Sequence, residues 1–154
     1  AETVRQLSAR VHQEISAVTA GLDESLAARR PQPGEWSVNE LIGHFILSER
    51  DYQSWAADML HDNEISDYLQ FRPNVHERIA ALVRRFGNRQ ALLDELALAQ
   101  EETAALLAAL PETFTTWRKH FYRRLVQWAT EIIPGHLEDE HLEQFKAAIA
   151  AVSA

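Results

Sequence analysis

The stretch SVNELIGHFILSERDYQSWAADMLH, residues 37–61, predicts a long amphipathic helix. Ser37 and Glu40 are spaced as in a capping box, in which the serine oxygen accepts from the third helical amide and the glutamate reaches back to the cap. Apolar residues then recur at steps that place them on one face of a helix. This apolar stripe consists of Leu41, Phe45, Tyr52, Trp55 and Met59.

The two ends of the chain have the same periodicity. An apolar stripe begins at Val4, continues to Leu26, and ends at the helix-breaking sequence RRPQPGEW. The last helical stretch is expected to begin near residue 115 or 116 and to run to the C-terminus. Pro134-Gly135 is expected to interrupt this last stretch.

The middle of the chain has clear boundary signals. Residues 61–74 show no steady period and predict a loop. Asn74 and Glu77 resemble a second capping pair, which predicts a short helix ending near Phe86. Gly87-Asn88 is a stop signal followed by a new cap, and a third long helix is expected over residues 89–110. Four long amphipathic segments in one domain, residues 1–154, predict an all-α four-helix bundle with an additional short helix.

Composition excludes several classes of function. The formal net charge is −8, so non-specific binding to nucleic-acid phosphates is disfavoured. The chain has no Cys, which excludes disulfides and thiolate metal ligands and is compatible with the cytoplasm. No apolar run is long enough to span a bilayer, so we expect no membrane partner.

Polar residues lie along one edge of the stripe on the second helix. With Leu41 at zero and about 100° per residue, His44 falls near about −60°, Ser48 near about −20° and Asp51 near about −80°. Buried polar groups are costly unless they are satisfied, so a partner, a water or an ion is implied there. His44 is the candidate ligand, and Ser48 and Asp51 either support it or face solvent.

The last helix contains two further inward histidines. His136 continues the face of Leu125, whereas His141 shares a face with Phe145 on the opposite side of an unbroken helix. The helical phase must therefore reset between these halves, either by a break at Pro134-Gly135 or by a π-bulge. After such a reset, His44, His136 and His141 form a three-nitrogen site of the kind that binds catalytic zinc.

The segments RPQPGEWSVNELIGHFILSERDY and IIPGHLEDEHLEQF together resemble the DinB-like superfamily. The first joins Trp-Ser to a Glu three residues after the Ser and a His four residues further on. The second places Gly-His before another His and a Gln. The resemblance implies an up-down-down-up bundle with a long crossover after the second helix, and a homodimer. It also implies a divalent metal (Zn, Ni or Mn) on His44, His136 and His141.

The same resemblance implies classes of activity. Relatives include transferases and isomerases that use low-molecular-weight thiols, and a hydrolase, and many members have no known activity. A metal-dependent thiol transferase or hydrolase is therefore one hypothesis, with a thiol or another small molecule as substrate. A non-catalytic, dimeric helical bundle with a degenerate metal site is the alternative.

The spacing of the last two histidines departs from the family pattern. His136 and His141 are five residues apart instead of four, which on a regular helix separates them by about 140°. Either the helix bulges, or the ligand set has changed, or the metal is lost. Glu140, four residues after His136, is an alternative ligand, and Glu138 is another.

The remaining histidines and tryptophans are given other roles. His12 lies at the edge of the first stripe and is a candidate to support the ligands. The other three histidines are expected to face solvent, and the tryptophans to lie in the core. These residues are His61, His76 and His120, and Trp36, Trp55, Trp117 and Trp128.

Overall fold

The computed structural model describes residues 3–62, 74–117 and 119–154, and every regular element within these ranges is a helix. The all-α prediction is confirmed. Most of the predicted loop over residues 61–74 falls on residues 63–73, which lie outside the described residues. In chain order the elements are α1 (Val4–Val18), α2 (Glu24–Ala27), α3 (Val38–Asp62), α4 (Val75–Phe86), α5 (Arg89–Ala108), π1 (Thr113–Trp117), α6 (Lys119–Gln127), π2 (Trp128–Ile132), α7 (Ile133–Gly135), π3 (His136–His141) and α8 (Leu142–Ser153).

The capping box predicted for α3 is confirmed. The Ser37 hydroxyl accepts from the Glu40 amide and the Glu40 carboxylate accepts from the Ser37 amide, both at 3.1 Å. Arg30 donates two further hydrogen bonds to Glu40, at 2.7 and 2.9 Å. Burial opposes ionisation of Glu40, but the hydrogen bonds from Arg30 and Ser37 outweigh it and lower the pKa of this carboxyl. The start of the helix that carries His44 is therefore fixed by charge-assisted bonds.

The periodicity of the first apolar stripe suggested a single helix, but the structure divides this stretch into α1 and α2. α1 ends at Val18, and the Thr19 hydroxyl donates to the Ile15 carbonyl at 2.8 Å. Gly21 then adopts a φ of 74°, a left-handed conformation that a helix cannot contain. Asp23 caps the short α2 by accepting from the Ser25 amide. Side-chain bonding by Thr and Asp at this turn outweighed the apolar periodicity.

The predictions around α4 were right for its length and wrong for its cap. Asn74 adopts a left-handed conformation with a φ of 57° and makes no capping bond with its side chain, so the predicted pair with Glu77 does not form. At the other end, Gly87 is left-handed and Asn88 caps α5 by accepting from the Ala91 amide at 2.8 Å. Only the second of the two asparagines has the extended backbone that a cap requires.

Contacts between helices show how the long elements run. Arg5 pairs with Glu101 while His12 bonds the Leu93 carbonyl, so α1 and α5 are antiparallel. The Tyr52 hydroxyl donates to the Leu125 carbonyl at 2.6 Å, whereas His44, earlier in α3, contacts His136, which comes later in the last helix. The two helices are therefore also antiparallel. These directions are compatible with the up-down-down-up order, which stays a prediction.

The core is divided between the two ends of the bundle. The larger cluster lies at the histidine end and includes Leu41, Ile42 and Phe45 of α3 together with Phe145 of α8. The smaller cluster lies at the opposite end and contains Tyr52, Trp55 and Leu125. In the described part of the chain, no helix combines the length and the apolar character that a bilayer span needs.

One carboxyl group is buried at the seam between α3 and α5. Glu49 is 3% exposed and accepts a hydrogen bond from the Thr103 hydroxyl at 2.7 Å. Burial raises the pKa of Glu49 more than the Thr103 bond and the charge of Arg50 lower it. The folded protein therefore holds this proton more tightly than the unfolded chain does.

Glu49→Gln is expected to stabilise the protein at neutral pH by about 1–2 kcal/mol. As pH rises, Glu49 ionises in the unfolded chain before it does so in the folded protein. Wild-type stability is therefore lost between the pKa of Glu49 in the unfolded chain and its raised pKa in the folded protein. The glutamine keeps an acceptor for Thr103 and does not ionise. Urea denaturation at pH 7 and at pH 4 measures the gain, which should shrink at the lower pH. The exposed Glu143→Gln is the matched control, and an unchanged or lower stability of Glu49→Gln at pH 7 would contradict the expectation.

Candidate metal centre

Three histidines from two parts of the chain converge at one end of the bundle. His44 comes from α3, and His136 and His141 come from the last helix. Each offers one ring nitrogen, and these three nitrogens lie within 4.8 Å of one another. The ring centroids are 4.5–4.8 Å apart in all three pairs. The structure thus brings together all three histidines that the sequence singled out.

The geometry of π3 accounts for the five-residue spacing. His136 is the first residue of this π-helical segment and His141 is its last. A π-helix bonds residue i to residue i+5, so its turn is wider than an α-turn and brings residues five apart onto the same side. The bulge predicted as one way to reset the phase is confirmed. A spacing that separates two side chains on an α-helix brings them to the same side here.

Pro134-Gly135 does not interrupt the last helix, and this prediction was wrong. Both residues lie in helical conformation in α7, which joins π2 to π3, and Gly135 has φ −61° and ψ −30°. Pro134 occupies one of the first positions of this segment, where its missing amide hydrogen is tolerated. The wide π turns shift the phase without breaking the chain, so residues before and after them both reach the core. Leu125 and Phe145 are each fully buried.

The histidine rings are shielded but not sealed from solvent. His44 is 7% exposed, and the side chains of His136 and His141 are 15% and 14% exposed. The Nε2 atoms of His44 and His136 are 2.8 Å apart. This is the distance of an N–H···N hydrogen bond, in which one imidazole donates and the other accepts.

Neighbouring side chains orient the rings. The Gln144 carboxamide oxygen accepts from Nδ1 of His141 at 2.7 Å, and this bond leaves Nε2 to face the other histidines. Phe45 packs against His136 with a centroid distance of 4.7 Å. These contacts hold the donor nitrogens in place without occupying them. The sequence signal for Gln144, a Gln three residues after His141, was visible in the family motif.

Trp36 forms an aromatic wall that sequence reasoning missed. Its ring centroid lies 4.9 Å from that of His44, and its indole nitrogen donates to Nδ1 of His76 at 3.3 Å. His76 is exposed, as predicted, but it contacts the mouth of the site through this bond. The signal was the position of Trp36 directly before the capping Ser37, which places the indole above the first turns of α3.

The residues proposed as supports for His44 have other partners. The Ser48 hydroxyl donates to the His44 backbone carbonyl at 2.9 Å, and Asp51 accepts two hydrogen bonds from Arg78 of α4. His12 bonds the Leu93 carbonyl at 2.9 Å, which ties α1 to α5, and its other ring nitrogen bonds Ser16 of the same helix at 3.4 Å. None of these hydrogen bonds reaches an imidazole of the triad.

The other predicted positions divide between core, surface and the undescribed part. Trp55 is buried, Trp128 packs beside it with ring centroids 5.4 Å apart, and His120 is exposed. The side chains of His61 and Trp117 lie outside what the structure describes.

Two acidic residues of π3 differ in their relation to the triad. Glu138 forms an ion pair with Arg10 of α1 at 3.0 Å, which directs its carboxylate to a different helix. Glu140 has a carboxylate oxygen 3.9 Å from Nε2 of His136 and 3.7 Å from Nε2 of His141. Of the two alternative ligands named from the sequence, only Glu140 therefore lies beside the histidine cluster.

The donor set fits a divalent transition metal. Zinc–nitrogen bonds of about 2.0–2.1 Å place the ligand nitrogens of a tetrahedral site about 3.3 Å apart. The three nitrogens here lie within 4.8 Å, so small side-chain movements suffice to ligate one ion. Neutral imidazoles suit zinc and its neighbours in the first transition series, and the ring orientation imposed by Gln144 is typical of such sites.

Among the comparisons with known proteins, one identifies the family of this chain. No curated protein and no solved structure matches the chain with significant similarity. The sequence profile of the DinB superfamily, in contrast, matches residues 8–145 and so spans all three histidines of the cluster. The chain belongs to the DinB superfamily.

Proposed function

We propose that this protein binds one divalent metal ion (Zn, Ni or Mn) through His44, His136 and His141. The observation that carries the proposal is the convergence of three histidine nitrogens within 4.8 Å on side chains that are buried or partly buried. Clustering three imidazoles is unfavourable unless hydrogen bonds or a cation compensate for their burial. The π turn that makes the cluster possible is a rare element that is often found at functional sites.

The proposed activity is that of a metal-dependent thiol transferase or hydrolase. When held by the three imidazoles, a divalent ion would supply a nucleophile at neutral pH. The residues of the chain hold that ion and shape its surroundings. Gln144 orients His141, while Phe45 and Trp36 form the apolar walls that limit access of water to the rings.

A non-catalytic bundle is the second candidate function. The five-residue spacing of His136 and His141 was the observation in its favour, because a regular helix would separate the two rings. π3 removes that argument, since both rings face His44. The enzymatic proposal is therefore the one that the site geometry supports better.

Several features of the proposal rest on family membership. These are a homodimeric state and a low-molecular-weight thiol or another small molecule as substrate, whereas the proposed cytoplasmic location rests on the absence of Cys. The acidic net charge of −8 also disfavours nucleic acid as a partner.

Metal analysis of tag-free protein tests the proposed function. Protein purified without a polyhistidine tag is incubated separately with Zn²⁺, Ni²⁺ and Mn²⁺, desalted, and analysed by mass spectrometry of the metal. We expect about one ion per chain for at least one metal. Less than about 0.2 ions per chain with all three metals would overturn the proposal.

A further inference from the structure

The carboxylate of Glu140 lies beside the metal-facing nitrogens of two of the proposed ligands. Its Oε2 atom is 3.9 Å from Nε2 of His136 and 3.7 Å from Nε2 of His141. His136 directs this same nitrogen toward His44, and Gln144 occupies the other ring nitrogen of His141. The carboxylate is therefore on the side of the rings where an ion would bind.

The distances also show that Glu140 is not locked in place. Both exceed the range of a hydrogen bond, and the Glu140 side chain is 65% exposed. Its neighbour Glu138, in contrast, is held by Arg10 at 3.0 Å. Glu140 is thus free to rotate toward the cluster or away from it by side-chain motion alone.

We propose that Glu140 is a displaceable fourth ligand that closes the metal site when no substrate is bound. This inference rests on the proposed function, because it requires an ion on the three histidines. Three neutral imidazoles leave the charge of a divalent ion uncompensated, and a nearby carboxylate is attracted to it strongly in a partly buried site. An anionic substrate group, such as a thiolate or a carboxylate, would have to compete with Glu140 for the same position.

Titration of Co²⁺-loaded protein with azide tests this role. Co²⁺ reports its ligand sphere through visible absorption, and azide is a simple anion that takes an open position. In Glu140→Ala we expect Co²⁺ affinity to fall about tenfold, because one ligand is lost. We expect azide to bind about tenfold more tightly, because it no longer displaces a carboxylate. The absorption spectrum before azide addition should also differ from that of the wild type.

Glu143→Ala is the matched control, since Glu143 is an exposed carboxylate on the same helix, paired with Lys146. It should leave Co²⁺ and azide affinities unchanged. If Glu140→Ala matches the wild type in spectrum and in both affinities, the inference is overturned while the proposed metal site stands. Complete loss of Co²⁺ binding would make Glu140 an obligatory ligand and overturn displaceability.

Two further outcomes are decisive. If wild-type protein binds no Co²⁺, the proposed function and this inference fail together. If Glu140→Ala does not fold, Glu140→Gln is measured in its place, because it keeps the side-chain volume and removes the charge. The same increase in azide affinity is expected for that variant, and its absence would contradict the inference.

Discussion

His44→Ala is expected to reduce metal affinity at least about 100-fold, because it removes one of the three proposed ligands. His44 is the proposed ligand from α3, and the capping box at Ser37 and Glu40 fixes the start of that helix. Without it, the two histidines of π3 retain only each other and Glu140. Among the described residues, the cluster contains no fourth histidine that could replace His44.

Thermal unfolding measures this effect with and without metal. At a metal concentration about 100 times Kd, binding to the folded state stabilises it by about 2.7 kcal/mol. For a chain of this size, that raises Tm by about 5–10 °C. His44→Ala should show no such rise, whereas His120→Ala, which removes an exposed histidine, should keep it. An equal rise in His44→Ala and wild type would place the metal elsewhere.

Deleting Asp139 is expected to leave the metal site intact, although it shortens a helix that carries two ligands. Asp139 is exposed and lies within π3, between His136 and His141. Its removal reduces the spacing to four residues, at which an α-turn places both rings on one face. The π turn becomes an α turn, and α8 keeps its phase. We expect metal affinity within about tenfold of the wild type.

Deleting Glu143 is the matched control, with the opposite expected result. This residue is also exposed, but it lies after His141, in the first turn of α8. If the helix again absorbs the loss by converting π3 to an α turn, His136 and His141 remain five residues apart and diverge by about 140°. Metal affinity should then fall at least about 100-fold.

Metal titrations of the two deletion variants, with helix content checked by circular dichroism, distinguish the explanations. Retained binding in the first variant and lost binding in the second would show that the π turn exists to converge the histidines. Loss of binding in both folded variants would mean that the exact width of the π turn is required. Retention in both would mean either that α8 absorbs the loss of Glu143 and leaves π3 intact, or that His141 is not a ligand.

The helical segments could be predicted because each rests on local signals. The capping box at Ser37, the left-handed Gly87 and the Asn88 cap all satisfy backbone groups within a few residues. The wrong predictions also have local causes, namely backbone conformations that the residue types did not reveal. Asn74 has the right side chain for a cap but a left-handed backbone, and a turn at Gly21 interrupts an apolar period that continues past it.

The candidate site was only partly predictable. The inward position of each histidine follows from helical phase, but their convergence depends on π3, and the sequence allowed either a break or a bulge there. The position of Trp36 against His44 depends on how the segment before α3 folds back over the helix. No periodicity describes such a segment, so its contacts became visible only in three dimensions.

The extra residue in π3 also affects how relatives of this chain are recognised. A comparison that forbids gaps inside helices would put either His136 or His141 one column away from its structural equivalent. A histidine would then be scored as lost in a protein that retains it. An alignment that allows one inserted residue between the last two histidines would keep both His136 and His141 of this chain in their own columns.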